Sequence, residues 1–283
     1  MRSSNTFHQQ INRTIVYMVL IAWSILSIGP LFWMFYSSFK SNSQIVANVW
    51  ALPHPWILSN WVQVLSAAVN SVPFAMNIAN TLLVAIPATI VVVICGSLAG
   101  YALARFRFRG AQLLQIFFLV LLPVPQFAVM IPVWSYMNVL GLTNSRVGLF
   151  FVYCAFNLAL AITLMRGFLS SFPSEIIEAS QLDGCSELGA YFRIALPLSL
   201  GPMTIVGILT FGGLWNEFLF AMSLIQDPSR MTVQPALAAF SAGQISFGWA
   251  TEFSALAIAT VIPIAIFLAF QKQIFQAVTL PNL

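Results

Sequence analysis

The chain has 283 residues, 60% of them apolar and only 6% charged, with a mean hydropathy of +0.91. Soluble domains carry about 25% charged residues, so this chain has too few to solvate its surface and reads as an integral membrane protein. Its net charge of +4 is scattered singly, apart from one short turn, which excludes a nucleic-acid-binding patch and makes the basic residues signals of topology.

Residues 1–14 carry Arg2 and Arg13 and precede an apolar run longer than the h-region of a signal peptide, with no small-residue cleavage site. We read that run as the first span. A helix needs about 20 predominantly apolar residues to cross about 30 Å of hydrocarbon. Six runs qualify, at 15–36, 78–104, 113–133, 147–165, 198–225 and 253–270, predicting an all-α membrane protein with six transmembrane helices. Pro30, Pro87, Pro123, Pro125, Pro132, Pro202 and Pro263 fall inside them, which favours a packed bundle whose neighbours satisfy the freed carbonyls. Arg2, Arg13, Arg105, Arg107, Arg109, Arg166, Arg193 and Lys272 fall on one side, and Lys40, Arg146 and Arg230 on the other. Eight against three places both termini and the 170–197 loop in the cytoplasm. The outer connections, 41–77 and 226–252, are expected to form short ordered loops or interfacial helices with Trp at headgroup level.

The stretch from Glu175 to Pro197 stands apart, holding four of the seven acidic residues. Pro173 is placed to open a helix, with Ser170 and Ser171 as candidate caps. Glu175 and Glu178 suit its first turns, where the helix dipole favours acids. Ile176, Ala179 and Leu182 recur on one face, and Asp183-Gly184 is a natural stop. A second short helix is expected from Ser186, with Glu187 early, Arg193 late and Pro197 at its end. Two amphipathic helices across a bundle make a surface for a protein partner; a solvated connector shaped only by capping fits the same pattern.

Within the fifth run, Glu217 is costly, at about 2.5–3.5 kcal/mol for a central carboxylate. It suits a pathway or gate residue, or a structural hydrogen bond near the interface. Asn77, Asn80, Asn157 and Asn216 either line a polar path or bond between helices. A P-loop needs Gly-x4-Gly-Lys-Ser/Thr, and neither lysine, Lys40 or Lys272, follows a glycine. His8 and His54 lie outside the spans, and Cys95, Cys154 and Cys185 lack metal-ligand spacing. No catalytic residue, cofactor or metal is therefore expected on this chain.

The spacing Glu178-Ala179-Ser180-x3-Gly184-x9-Ile194-x-Leu196-Pro197 resembles the EAA loop of bacterial ABC importer permeases. Only Ser180 departs from that pattern, small for small. Trp215-Asn216-Glu217-Phe218 and Gln271-Lys272-Gln273 are similar to the smaller permease of maltose-type carbohydrate importers. The chain ends in AVTLPNL, whereas family members often end in a Gly- and Lys-containing tail that reaches the ATPase. The resemblance implies that Glu175, Glu178, Ala179, Ser180, Asp183, Gly184, Ile194, Leu196 and Pro197 form a coupling element docking on a separate ATPase. It implies a gate or pathway role for Trp215, Asn216 and Glu217. As partners it implies a second permease, two ATPase copies, an external substrate-binding protein and the bilayer. The outer loop 226–252 would meet the binding protein, and ATP and magnesium would be bound by the ATPase. A secondary, ion-coupled transporter is the alternative, although it would need several mid-membrane ionisable groups and the spans supply only Glu217.

Overall fold

The computed structural model describes residues 3–66, 68–69, 72–241 and 248–279. Arg2, part of the 226–252 loop and the last four residues of the AVTLPNL tail lie outside them. The chain divides into two units, Met1–Ala67 with Phe240–Ile258, and Ala68–Ala239 with Ala259–Leu283.

In the first unit α1 (Ser3–Ser37) is followed by two short helices, α2 (Asn42–Ala47) and α3 (Ser59–Ser66). Ser41 and Gln44 form a reciprocal capping box at the start of α2, satisfying two amides that the helix leaves unpaired. Asn60 is buried and donates to the carbonyls of Ser38 (2.9 Å) and Lys40 (2.8 Å). Lys40 is also buried, its Nζ donating to Val49 O at 2.8 Å and lying 4.9 Å from the centre of the Tyr36 ring. Burial pushes its amine below the ordinary lysine range. Trp33 meets Phe253 edge to face at 4.9 Å, and Ser254 Oγ donates to Ser38 O. The Arg13–Ser37 part of α1 has an apolar surface that this unit leaves exposed.

The second unit is a helical bundle built around α4 (Phe74–Arg105) and α7 (Arg146–Ser170). Gly96 and Gly100, one turn apart on α4, let the two backbones meet. A Cβ at Gly96 would stand 2.7 Å from Ala161 Cβ, and one at Gly100 2.8 Å from Arg166 N. Small residues at this spacing allow close packing in lipid, where apolar burial supplies no drive between helices. A hairpin of Ala68–Val69 and Val72–Pro73 is the one sheet among the described residues.

The third apolar run is not one straight helix. It forms α5 (Ala111–Leu121) and α6 (Gln126–Val139), bent by 104°, because Pro123 and Pro125 remove two amide donors within three residues. The run expected as one span at 198–225 is also divided, into α11 (Leu200–Trp215) and α12 (Leu219–Leu224). Four helices are long and apolar enough to cross a bilayer: the Arg13–Ser37 part of α1, α4, α7, and the Trp249–Gln273 part of α14 (Trp249–Thr279). The α5–α6 pair and a second bent pair raise the number to six. That second pair is Glu187–Leu198 with α11, bent by 72°.

Asn77 and Asn80, expected either on a polar path or in interhelical bonds, fasten a loop. Both are buried and donate to Met231 O, and Asn80 also donates to Ser229 O. Arg146 donates to Asn80 Oδ1 at 2.7 Å. Asn144 has φ +52 and accepts from the amides of Gln226 and Asp227 on one side-chain oxygen. Asp227 caps the turn Pro228–Arg230 and forms the 3.4 Å ion pair with Arg230. Hydrogen bonds from the Ser229 hydroxyl and amide, aided by Arg230, hold its carboxyl below the usual range.

Candidate functional site

Two regions of the second unit carry unusual chemistry. The first is the loop between α7 and α11. Helix α8 (Ser174–Leu182) starts after Pro173, which takes the N-cap position without a side-chain cap. Ser170 and Ser171 do not cap it as expected. Their hydroxyls return to the carbonyls of Arg166 and Phe168, both at 2.7 Å, since α7 is still helical through Ser170.

The end of α8 follows the sequence closely. Asp183 is the C-cap and Gly184 has φ +88, a conformation that costs an L-residue about 1–2 kcal/mol. Gly184 N donates to Gln181 O and Cys185 N to Ser180 O, both at 3.0 Å, the paired bonds of a Schellman motif. The glycine at this spacing thus turns the chain and satisfies two helix-end carbonyls.

Ile177 and Ser180 hold α8 to the bundle. Ser180 Oγ donates to Ile177 O at 2.6 Å, so the hydroxyl is accommodated where the family pattern has a methyl. Ile176, Ala179 and Leu182 share a face that points away; Leu182 is 91% exposed. Glu175, Glu178 and Asp183 are exposed beside them, and none forms an ion pair among the described residues.

Ser186 caps α9 (Glu187–Ala190) as expected, accepting from Gly189 N at 3.1 Å. Gln181 Nε2 donates to Glu187 Oε1 at 2.8 Å, tying α8 to α9. Pro197 does not end this helix. The chain continues as a π turn over Tyr191–Ala195 and then α10 (Leu196–Leu198) before bending at Ser199. Pro197 has no N–H for the Arg193 carbonyl, and the preceding turn widens, with Leu196 N donating to Tyr191 O. Ile194 and Leu196 are half-buried against the core cluster, while Pro197 is exposed. Tyr191 is buried, its hydroxyl 3.0 Å from Ser97 Oγ on α4 and its ring 5.1 Å from that of Tyr101. Arg105 donates to Pro173 O at 3.3 Å.

The second region is the break between α11 and α12. Glu217 lies in the gap and caps α12, with Oε1 accepting from Phe220 N at 2.7 Å and Oε2 from Ala221 N at 3.0 Å. Tyr153 on α7 adds a third donor, its hydroxyl 2.9 Å from Oε2. Trp215 is buried and donates through Nε1 to Ala259 O at 3.1 Å. Asn216 donates to Gly212 O, and Asn157 to Tyr153 O, both at 2.8 Å. A cavity of about 260 Å³ opens here, lined by Gln126, Tyr153, Asn157, Asn216, Glu217 and Phe218 among others. Of the three residues expected at a gate, Asn216 and Glu217 line it and Trp215 supports it from behind. Sequence reasoning missed Gln126 and Tyr153, since nothing local marks them as neighbours of Glu217. No group of three metal-ligating side chains occurs among the described residues.

Residues 93–279 match the family model described as the binding-protein-dependent transport system inner membrane component. The diacetylchitobiose uptake system permease protein NgcG of Streptomyces coelicolor is 31% identical over 92% of this chain and 85% of its own. The trehalose/maltose transport system permease protein MalG of Thermococcus litoralis is 29% identical over 95% and 96%. The sulfoquinovosyl glycerol transport system permease protein SmoH of Agrobacterium fabrum is 28% identical over 92% and 90%. Among solved structures, a bacterial ABC transporter involved in import of the acidic polysaccharide alginate shares the fold. Its TM-score is 0.77 at 21% identity, covering 95% of this chain and 98% of that one.

Proposed function

Since the chain belongs to the family of inner membrane components of binding-protein-dependent transport systems, we propose that it is the membrane-spanning permease subunit of an ATP-driven carbohydrate importer. Its cargo is a sugar, an oligosaccharide or a glycerol-phosphate-like solute, moved by alternating access. It is not itself an enzyme. ATP and magnesium are bound by a separate ATPase, present in two copies, and a second permease and an external binding protein complete the complex. The chain sits in the bacterial inner membrane with both termini and the 170–197 loop in the cytoplasm.

The observation that carries this reading is α8. Ile177 and Ser180 anchor it, while Ile176, Ala179 and Leu182 face outward between Glu175 and Glu178. An apolar strip with acidic flanks on a water-side helix is a surface awaiting a protein partner. The carbohydrate cargo rests on the relatives whose names specify sugars. The ion-coupled alternative lacks support from the family, and the carboxylate it would rely on, Glu217, is engaged by three donors.

Copurification tests the assembly: an ATPase in stoichiometric amount is expected, and full transport by this chain alone in liposomes would refute it. Glu178→Lys reverses charge on the exposed face, and Gly184→Asp strains the αL turn. Both variants should insert normally yet abolish uptake; normal uptake by both would remove the coupling role from α8.

A further inference from the structure

The cavity at the α11–α12 break has a lining that selects among solutes. Asn157 is the twelfth of the 25 residues of α7, which places it at the middle of a membrane-spanning helix. Interrupted helices at this depth are where transporters build substrate sites, because irregular backbone is tolerated in a membrane only where it lines a polar space. The cavity is polar here. Asn157 uses one amide hydrogen on Tyr153 O and Asn216 uses one on Gly212 O. The remaining donor and acceptor positions of the two amides stay open apart from a 3.4 Å contact between Gln234 Nε2 and Asn216 Oδ1. Gln126, the first residue of α6, is exposed at the same opening, and its side chain bonds to no described residue.

Charge narrows the choice. The lining contains no Lys, Arg or His, and its one carboxylate, Glu217, already takes three donors from the protein. An anionic solute would meet a negative group and no counter-charge. Amides of both polarities beside the rings of Phe156 and Phe218 match a neutral polyol, whose hydroxyls both donate and accept and whose C–H faces suit an aromatic ring. At about 260 Å³, the space falls just below the range of about 300–1,000 Å³ typical of drug-sized ligands, and suits one sugar ring.

We infer that this subunit contributes a binding subsite for one uncharged sugar ring, held by Asn157, Asn216 and Gln126, and that it disfavours uronates and glycerol phosphates. This rests on the importer reading and narrows its cargo.

The test uses the whole complex in proteoliposomes with its binding protein. The neutral cargoes are maltose, trehalose and diacetylchitobiose; the anionic ones are digalacturonate and glycerol 3-phosphate. A neutral cargo is expected to be taken up, with Asn157→Leu and Gln126→Leu each raising its KM about tenfold while the maximal rate stays within about twofold. A structural lesion would instead lower the maximal rate. Gln126 is exposed, so its variant keeps the test open should Asn157→Leu fail to assemble. Uptake of only the anionic cargoes, or an unchanged KM in both variants, overturns the subsite and leaves the importer standing. If wild type takes up none of the five, the carbohydrate reading falls and the subsite with it.

Discussion

Glu217→Gln isolates the role of a carboxylate inside the fifth apolar run. In the folded protein its two oxygens accept three hydrogen bonds, from Phe220 N, Ala221 N and the Tyr153 hydroxyl, at 2.7, 3.0 and 2.9 Å. An amide can offer only one oxygen. The better rotamer keeps Ala221 N and Tyr153 on that oxygen and turns the NH2 toward Phe220 N, leaving a donor facing a donor. Orphaning a buried amide costs about 1–3 kcal/mol, and the two surviving bonds lose the assistance of charge. The expected loss is therefore about 2–4 kcal/mol. Tyr153→Phe removes a donor from a carboxylate that retains two others, and should cost only about 1 kcal/mol. Unfolding of the purified subunit in mixed micelles, followed by tryptophan fluorescence, measures both, and a double-mutant cycle should return coupling of about 1–2 kcal/mol. Wild-type stability in Glu217→Gln with lost uptake would refute the capping argument and return the carboxylate to the transport path.

Gly100→Val places a branched side chain where a Cβ alone would stand 2.8 Å from Arg166 N and 2.9 Å from Met165 Cβ. Overpacking should cost about 1–3 kcal/mol, read as a lower midpoint in the same assay; an unchanged midpoint would show that α4 and α7 do not rely on this contact. In the turn that follows α12, Asp227 has a carboxyl held below the ordinary 3.8 by Ser229 and then Arg230. A depressed folded-state value means the stabilisation is complete above about pH 4 and is lost as pH falls through the folded value. Hydrogen exchange at the Ser229 amide should stay protected at pH 4 and open at lower pH, whereas in Asp227→Asn this dependence should vanish.

The sequence made the membrane class, the apolar runs and the short helices between α7 and α11 legible, because each depends on composition over many residues or on a short chain signal. The Asp183-Gly184 stop is such a signal, since a Schellman motif needs only a residue tolerant of positive φ. Direction along the chain was less legible. A hydropathy run registers that residues 113–133 and 198–225 are apolar, but the 104° bend between α5 and α6 comes from Pro123 and Pro125, and the break at 216–218 is held by a side chain 64 residues away. Ser170 and Ser171 have the chemistry of caps, yet α7 runs on through Ser170 and claims their hydroxyls for its own carbonyls. Pro197 reads as a terminator, but a widened turn just before it lets the helix pass.

The two candidate regions lie at opposite ends of one element. Helix α11 begins at Leu200, beside the bend that follows α10, and ends at Trp215, beside the gap that holds Glu217. Its 16 residues span about 24 Å at 1.5 Å per residue. The loop is not free to move alone. The Tyr191 hydroxyl is bonded to Ser97 on α4, and Ile177 shares a buried cluster with Met165 and Leu169 of α7. Force applied to the exposed face of α8 therefore reaches the bundle at α4 and α7, and through α9 and α10 it reaches the base of α11. At the far end of α11, Trp215 is pinned to Ala259 O and Glu217 to Tyr153, so a tilt of the helix is resisted at contacts flanking the cavity. Under the importer reading, the bend at Ser199 and the gap at 216–218 are the two hinges, and the rigid rod between them links the docking helix to the solute cavity.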